Sequence, residues 1–106
     1  MSKIALIAAT ALISFSASVN ATEHEVKQKD NVFSRAVLMI KVGDAVSFRN
    51  DDPHYHDVFS SSDAQLFELG SYPQGQAKSV TFKKEGKVDV ECAIHPGMKM
   101  TVDVAK

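Results

Sequence analysis

Two short runs near the C-terminus alternate strictly between apolar and polar residues, and three side chains of metal-ligating type cluster where they join. Val88, Val90 and Cys92 alternate with Lys87, Asp89 and Glu91, and Met100, Val102 and Val104 alternate with Thr101 and Asp103. A period of two places every second side chain on one face, so each run reads as a strand with one buried and one wet face. Such strands need a second layer to cover the apolar face, which restricts the chain to an all-β sandwich or barrel. No segment beyond the N-terminal apolar stretch carries a convincing helical period.

Further runs agree. Val46 and Phe48 alternate with Ser47 and Arg49, Val80 and Phe82 bracket Thr81, and His56-Asp57-Val58-Phe59 begins another strand in which His56 and Val58 share a face. Residues 35–42 are apolar enough to be a strand buried on both faces. Turn formers recur at short intervals, at Asp30-Asn31, Gly43-Asp44, Asn50-Asp51-Asp52-Pro53, Pro73-Gln74-Gly75 and Glu85-Gly86. Short strands spaced by such turns are the pattern of a small antiparallel sandwich. Residues 60–70 are expected to form a loop or a single helical turn.

The N-terminus reads as an export signal. Lys3 supplies positive charge, residues 4–15 are apolar, and Val19-Asn20-Ala21 offers the small residues a signal peptidase reads. Cleavage after Ala21 is expected to leave residues 22–106 as one domain in a bacterial periplasm, with residues 1–21 removed. The apolar run falls short of the roughly 20 residues a membrane span needs, so stable membrane insertion is not expected. The chain has a formal charge of −1, which losing Lys3 takes to −2, and this lacks the basic excess of nucleic-acid binders. The cluster Lys83, Lys84 and Lys87, interrupted by Glu85, reads as a solvated hairpin tip.

Cys92 is the only cysteine, so no intramolecular disulfide can account for it. His95 and Met98 follow it in the run Cys92-Ala93-Ile94-His95-Pro96-Gly97-Met98. Pro96-Gly97 cannot continue a regular ladder, so His95 is expected in a tight loop that turns its imidazole back toward the sulfur. With His56 from the upstream turn, these are the ligand types of a mononuclear blue-copper centre: two imidazoles, a thiolate and a weak axial thioether. A buried lone cysteine is often merely a small hydrophobe, but three soft or borderline ligands within seven residues make metal the better reading. The expected ligands are His56, Cys92, His95 and Met98, and the expected cofactor is one copper ion.

Two choices within that set rest on parity. His54 competes with His56 but follows Pro53 in the turn and is expected to be exposed. Met100 competes with Met98 as the axial group. Its place on the inward face of the last strand explains it without a metal, so Met98 is preferred. Zinc is a weaker alternative because thioethers are not among its usual ligands.

At these residues the chain resembles the cupredoxins, the small blue-copper proteins. The likeness runs from Val42-Gly43-Asp44-Ala45-Val46-Ser47-Phe48 through His56-Asp57-Val58-Phe59 to the Cys92-x-x-His95-x-x-Met98 spacing. It is similar in particular to small periplasmic plastocyanin-like proteins, some of them methylamine-utilisation-like, which also match at Phe67-Glu68-Leu69-Gly70-Ser71-Tyr72-Pro73. The resemblance implies a Greek-key sandwich and a monomeric one-electron carrier that docks with a redox partner protein. One departure is Asp57, where cupredoxins usually carry Asn after the first ligand histidine; a carboxylate there is expected to lower the reduction potential.

Two readings of function are open from the residues. One is electron transfer; the other is copper handling, in which the chain passes copper to or from a donor or acceptor protein, toward which His24, His54, Met100 and the acidic Asp51-Asp52 turn lean. A redox enzyme is not expected, since four protein ligands leave no open position for substrate. A mature terminus Thr22-Glu23-His24 would place histidine third in the chain, an arrangement that could bind a second Cu(II) in square-planar nitrogen coordination.

Overall fold

The computed structural model describes residues 21–106. The expected signal segment, apart from Ala21, lies outside the described residues. Nine strands follow in order: β1 Glu23–Lys29, β2 Val32–Phe33, β3 Val37–Lys41, β4 Ala45–Asn50, β5 His56–Ser60, β6 Phe67–Tyr72, β7 Ala77–Thr81, β8 Gly86–Cys92 and β9 Lys99–Ala105. They form two sheets, of order β2-β1-β4-β7 and β3-β9-β8-β5-β6. The all-β Greek-key sandwich is as expected, and the described residues contain no helix.

Pairing is antiparallel except at two places: β1 lies parallel to β4, and β3 lies parallel to β9. Parallel neighbours need a crossover connection. The chain supplies one by passing from β1 and β2 to β3 in the other sheet before returning as β4.

Alternation holds where both faces were legible. Val46 and Phe48 of β4, Val88, Val90 and Cys92 of β8, and Met100, Val102 and Val104 of β9 are all buried. Fully burying a valine contributes about 1.5–3 kcal/mol, and eight residues of this small core have no exposed surface: Val26, Val46, Phe48, Val58, Phe82, Val88, Val90 and Val102. The rings of Phe33, Phe48, Phe67 and Phe82 run through it in sequence, with successive centroids 6.1 to 6.3 Å apart.

Three features depart from the sequence-based expectation. β3 is buried on one face only, and its outward Val37 and Met39 are 56% and 74% exposed, because the sandwich has two layers and none covers the outer face of this sheet. Residues 60–70 hold most of the edge strand β6, whose weak burial pattern masks its period. β1 was hidden because its inward positions are His24, Val26 and Gln28 rather than three apolar residues.

Gln28 has no exposed surface, and its Nε2 donates to Tyr72 Oη at 2.9 Å. That hydroxyl donates in turn to Phe48 O at 2.9 Å, tying the two sheets together behind the ligand-bearing pole.

Candidate metal centre

The strands that carry the expected ligands end side by side. Val58 of β5 is the cross-strand partner of Cys92 at the end of β8, so His56 and Cys92 emerge at the same end of one sheet. Beyond Cys92 the chain folds into a short loop closed by two backbone hydrogen bonds, Cys92 N to Met98 O at 3.1 Å and Met98 N to His95 O at 3.2 Å. Gly97 sits at φ 92°, a left-handed conformation that a side chain would strain, and this lets the loop return to β9. The result turns His95 back over Cys92.

The sulfur of Cys92 lies 3.6 Å from Nδ1 of His56 and 3.8 Å from Nδ1 of His95. Bonds of about 2.3 Å to sulfur and about 2.0–2.1 Å to nitrogen separate two ligand atoms by roughly 3.5–3.8 Å when the angle at the ion lies between tetrahedral and trigonal. The sulfur and each of the two imidazole nitrogens therefore stand at the separation that sharing an ion requires. Cys92 and His56 are buried, and His95 is partly exposed beside the exposed Ile94, Pro96 and Gly97.

The backbone N–H of Asp57 points at the same sulfur, 3.5 Å away, and Ala93 N donates to Asp57 O at 2.8 Å. The turn before His56 is held by Asn50, buried at the end of β4. Its Nδ2 donates to the carbonyls of His54 and Tyr72, each at 2.9 Å, and its Oδ1 accepts from Asp52 N at 2.8 Å. Asp52 then accepts a hydrogen bond from Nε2 of His56 at 2.7 Å. From the sequence Asn50 reads only as part of a turn and Asp52 only as part of an acidic turn leaning toward copper handling; neither is expected there to serve His56. The signal available was four turn-forming residues immediately before a candidate ligand.

Burial raises the pKa of Asp52, but the hydrogen bonds from His56 and the amides of Asn31 and Asp30 outweigh it and hold the carboxyl at about 2. Burial lowers the pKa of His95, and the neighbouring His56 and His54 lower it further, so its imidazole is neutral and its lone pair free at neutral pH. Asp57 is pushed up to about 6 by burial and by Glu68 alongside. It alternates with the inward His56 and Val58, so its side chain lies on the other face of β5 and only its amide serves the sulfur.

His54 is exposed, as expected, yet it stands at the mouth of the site. Its ring centroid is 4.9 Å from that of His95 and 5.1 Å from that of His56, and one ring nitrogen from each of the three histidines falls within 4.8 Å of the others. Two constellations therefore overlap here. The set containing Cys92 suits copper better, since it adds the soft charged donor, whereas Nε2 of His54 is engaged with Asn31 Oδ1 at 2.6 Å.

Met98 and Met100 are each 3% exposed, so burial does not separate them. Met100 faces Val90 across the β8–β9 ladder as a core residue, while Met98 precedes that ladder in the loop. At the opposite end of β1, His24 Nε2 donates to Asp44 Oδ2 at 3.0 Å, and Thr22 N donates to Asp44 Oδ1 at 3.0 Å. The segment that would wrap a second Cu(II) is thus laid down as a strand beside β4 with its imidazole engaged.

The family model for copper binding proteins of the plastocyanin/azurin family matches residues 20–105. The chain belongs to that family. This copper protein is 36% identical over 98 residues to the methylamine utilization protein MauL of Methylorubrum extorquens, a match covering 92% of this chain and 86% of MauL. It superposes on a reduced amicyanin variant with a TM-score of 0.73 at 27% identity, covering 84% of this chain and 88% of that one. It also matches the copper-containing nitrite reductase of Thermus scotoductus, with a TM-score of 0.74 at 28% identity over 79% of this chain. The chain spans about a fifth of that reductase, 22% of its length.

Proposed function

We propose that this copper protein is a periplasmic one-electron carrier whose metal is held by His56, Cys92 and His95, with Met98 as the axial group. The observation that carries the reading is the placement of the Cys92 sulfur at 3.6 and 3.8 Å from two imidazole nitrogens supplied by different parts of a rigid scaffold. Copper bound there would supply the Cu(I)/Cu(II) couple. The scaffold's part is to hold donors acceptable to both oxidation states in one geometry, so that little reorganises when an electron moves. Burial of Cys92 and His56 keeps water from the thiolate, and the partly exposed His95 offers the route to a redox partner protein.

Export with cleavage after Ala21, a monomeric state and the absence of enzymatic turnover belong to the same reading. The likeness to a protein named for methylamine utilization supports a setting in that process. Copper handling is the second reading, favoured by His54 beside His95 at the surface, where a third imidazole could receive or release the ion from a donor or acceptor protein.

The copper-loaded protein, purified from residue 22, separates them. The carrier reading expects an intense visible thiolate-to-copper band and rapid, reversible one-electron voltammetry. A colourless Cu(II) form, or tight Cu(I) binding with irreversible voltammetry, overturns it.

A further inference from the structure

Asp52 is a buried carboxylate directly behind a candidate ligand. It is 1% exposed, and both its oxygens are engaged: Oδ1 accepts from Asp30 N at 2.7 Å, and Oδ2 accepts from Asn31 N at 3.1 Å and from His56 Nε2 at 2.7 Å. Among the described residues no lysine or arginine forms an ion pair with it; its charged-pair partners are His56 and, at 3.7 Å, His54. The two amides belong to the β1–β2 turn, where Asp30 and Asn31 both adopt left-handed φ angles of 55° and 60°. Two residues with positive φ between paired strands form a tight hairpin turn. The carboxylate therefore ties a hairpin tip of one sheet to His56 of the other.

A carboxylate that accepts from one ring nitrogen fixes the tautomer, leaves the other nitrogen's lone pair free for a metal, and makes the ring a stronger donor. In this chain the freed atom is Nδ1, the one facing the Cys92 sulfur. We propose that Asp52 is a positioning residue of the metal centre, which locks His56 as the Nε2–H tautomer and, as an uncompensated buried negative charge one imidazole away, favours Cu(II) and lowers the reduction potential. The inference rests on the assignment of His56 as a ligand. The Asp52 charge acts beside that expected of Asp57, whose side chain lies on the opposite face of β5 from His56.

Voltammetry of copper-loaded Asp52→Asn tests it, with Asp51→Asn as the control. Asp51 carries the same charge one residue away, but its carboxylate pairs with Arg49 Nε at 2.8 Å. Asp52→Asn is expected to shift the ratio of Cu(I) to Cu(II) affinity at least about tenfold toward Cu(I), a rise of about 59 mV for a one-electron couple. Asp51→Asn is expected to shift it less than about twofold. An unchanged or lowered potential in Asp52→Asn overturns the proposal.

If Asp52→Asn does not fold, long-range proton–nitrogen correlation spectra of the wild-type protein, metal-free and Cu(I)-loaded, decide. A slowly exchanging Nε2 proton on His56 supports the proposal, and an Nδ1–H tautomer overturns it. A wild-type protein without the thiolate-to-copper band would instead overturn the carrier reading, while the metal-free spectra would still report on the Asp52–His56 pairing.

Discussion

The backbone amide of Asp57 stands 3.5 Å from the sulfur of Cys92, across a β5–β8 ladder in which Val58 is the partner of Cys92. An amide aimed at a thiolate stabilises its negative charge, as does any donor pointed at an anion. Cys92→Ser keeps the geometry but replaces the soft donor. We expect the variant to lose the visible band completely and to bind Cu(I) at least about a hundredfold more weakly, measured by competition with a chromophoric Cu(I) chelator.

The two methionines should separate cleanly. Met98→Leu is expected to change the copper spectrum and potential while leaving the fold intact. Met100→Leu, a near volume-conserving swap on the inward face of β9, is expected to cost less than about 1.5 kcal/mol of stability and to leave the spectrum unchanged. Paramagnetic resonance and urea unfolding of both variants check this, and the opposite pattern would assign the axial role to Met100.

Tyr72→Phe removes the hydroxyl that joins Gln28 Nε2 to Phe48 O inside the sandwich. Gln28 would then be left with an unpaired buried amide in addition to its Oε1, which has no protein partner. The expected cost is about 1–3 kcal/mol in urea unfolding. Adding Gln28→Leu to Tyr72→Phe should recover part of that loss, because it removes the orphaned Gln28 amide.

Acid stability should depend on Asp44. Its pKa is held at about 2, below the ordinary 3.8, by the hydrogen bond from His24 and by the amides of Thr22 and Lys41. A carboxyl with a depressed folded-state pKa stabilises the fold above its unfolded pKa and loses that contribution as pH falls toward the folded value. Unfolding free energy should therefore decline from about pH 4 to about pH 2, and Asp44→Asn should flatten that decline. Urea titrations across this window give the slope, and an unchanged slope in the variant would refute the assignment.

Copper should stabilise the native protein by mass action, since unfolding separates His56 from the Cys92 loop and leaves only the weaker local donors. At free copper one hundredfold above the dissociation constant the gain is about 2.7 kcal/mol. Thermal unfolding with and without copper should show that gain in the wild type and little of it in Cys92→Ser.

Strand parity was legible wherever a strand had one apolar and one polar face, as in β4, β8 and β9. It failed at β1, where buried Gln28 stands in an inward position, and at β3, where exposed Met39 and Val37 imitate burial. A hydropathy pattern registers side-chain type, while burial depends on whether another layer lies opposite.

The donor types were likewise readable, because Cys92, His95 and Met98 fall within seven residues and sulfur and imidazole chemistry is local to each side chain. Their convergence with His56, the service of Asn50 and Asp52 to that histidine, the outward turn of Asp57 and the arrival of His54 at the mouth were decided by tertiary structure alone. The amino-acid order by itself determined which atoms could bind a soft metal and that they would hang from strands. Which of those atoms meet, and which carboxylate lies behind them, followed from pairing β5 with β8 and seating the β1–β2 hairpin against the 51–55 turn, contacts between segments that no local pattern records.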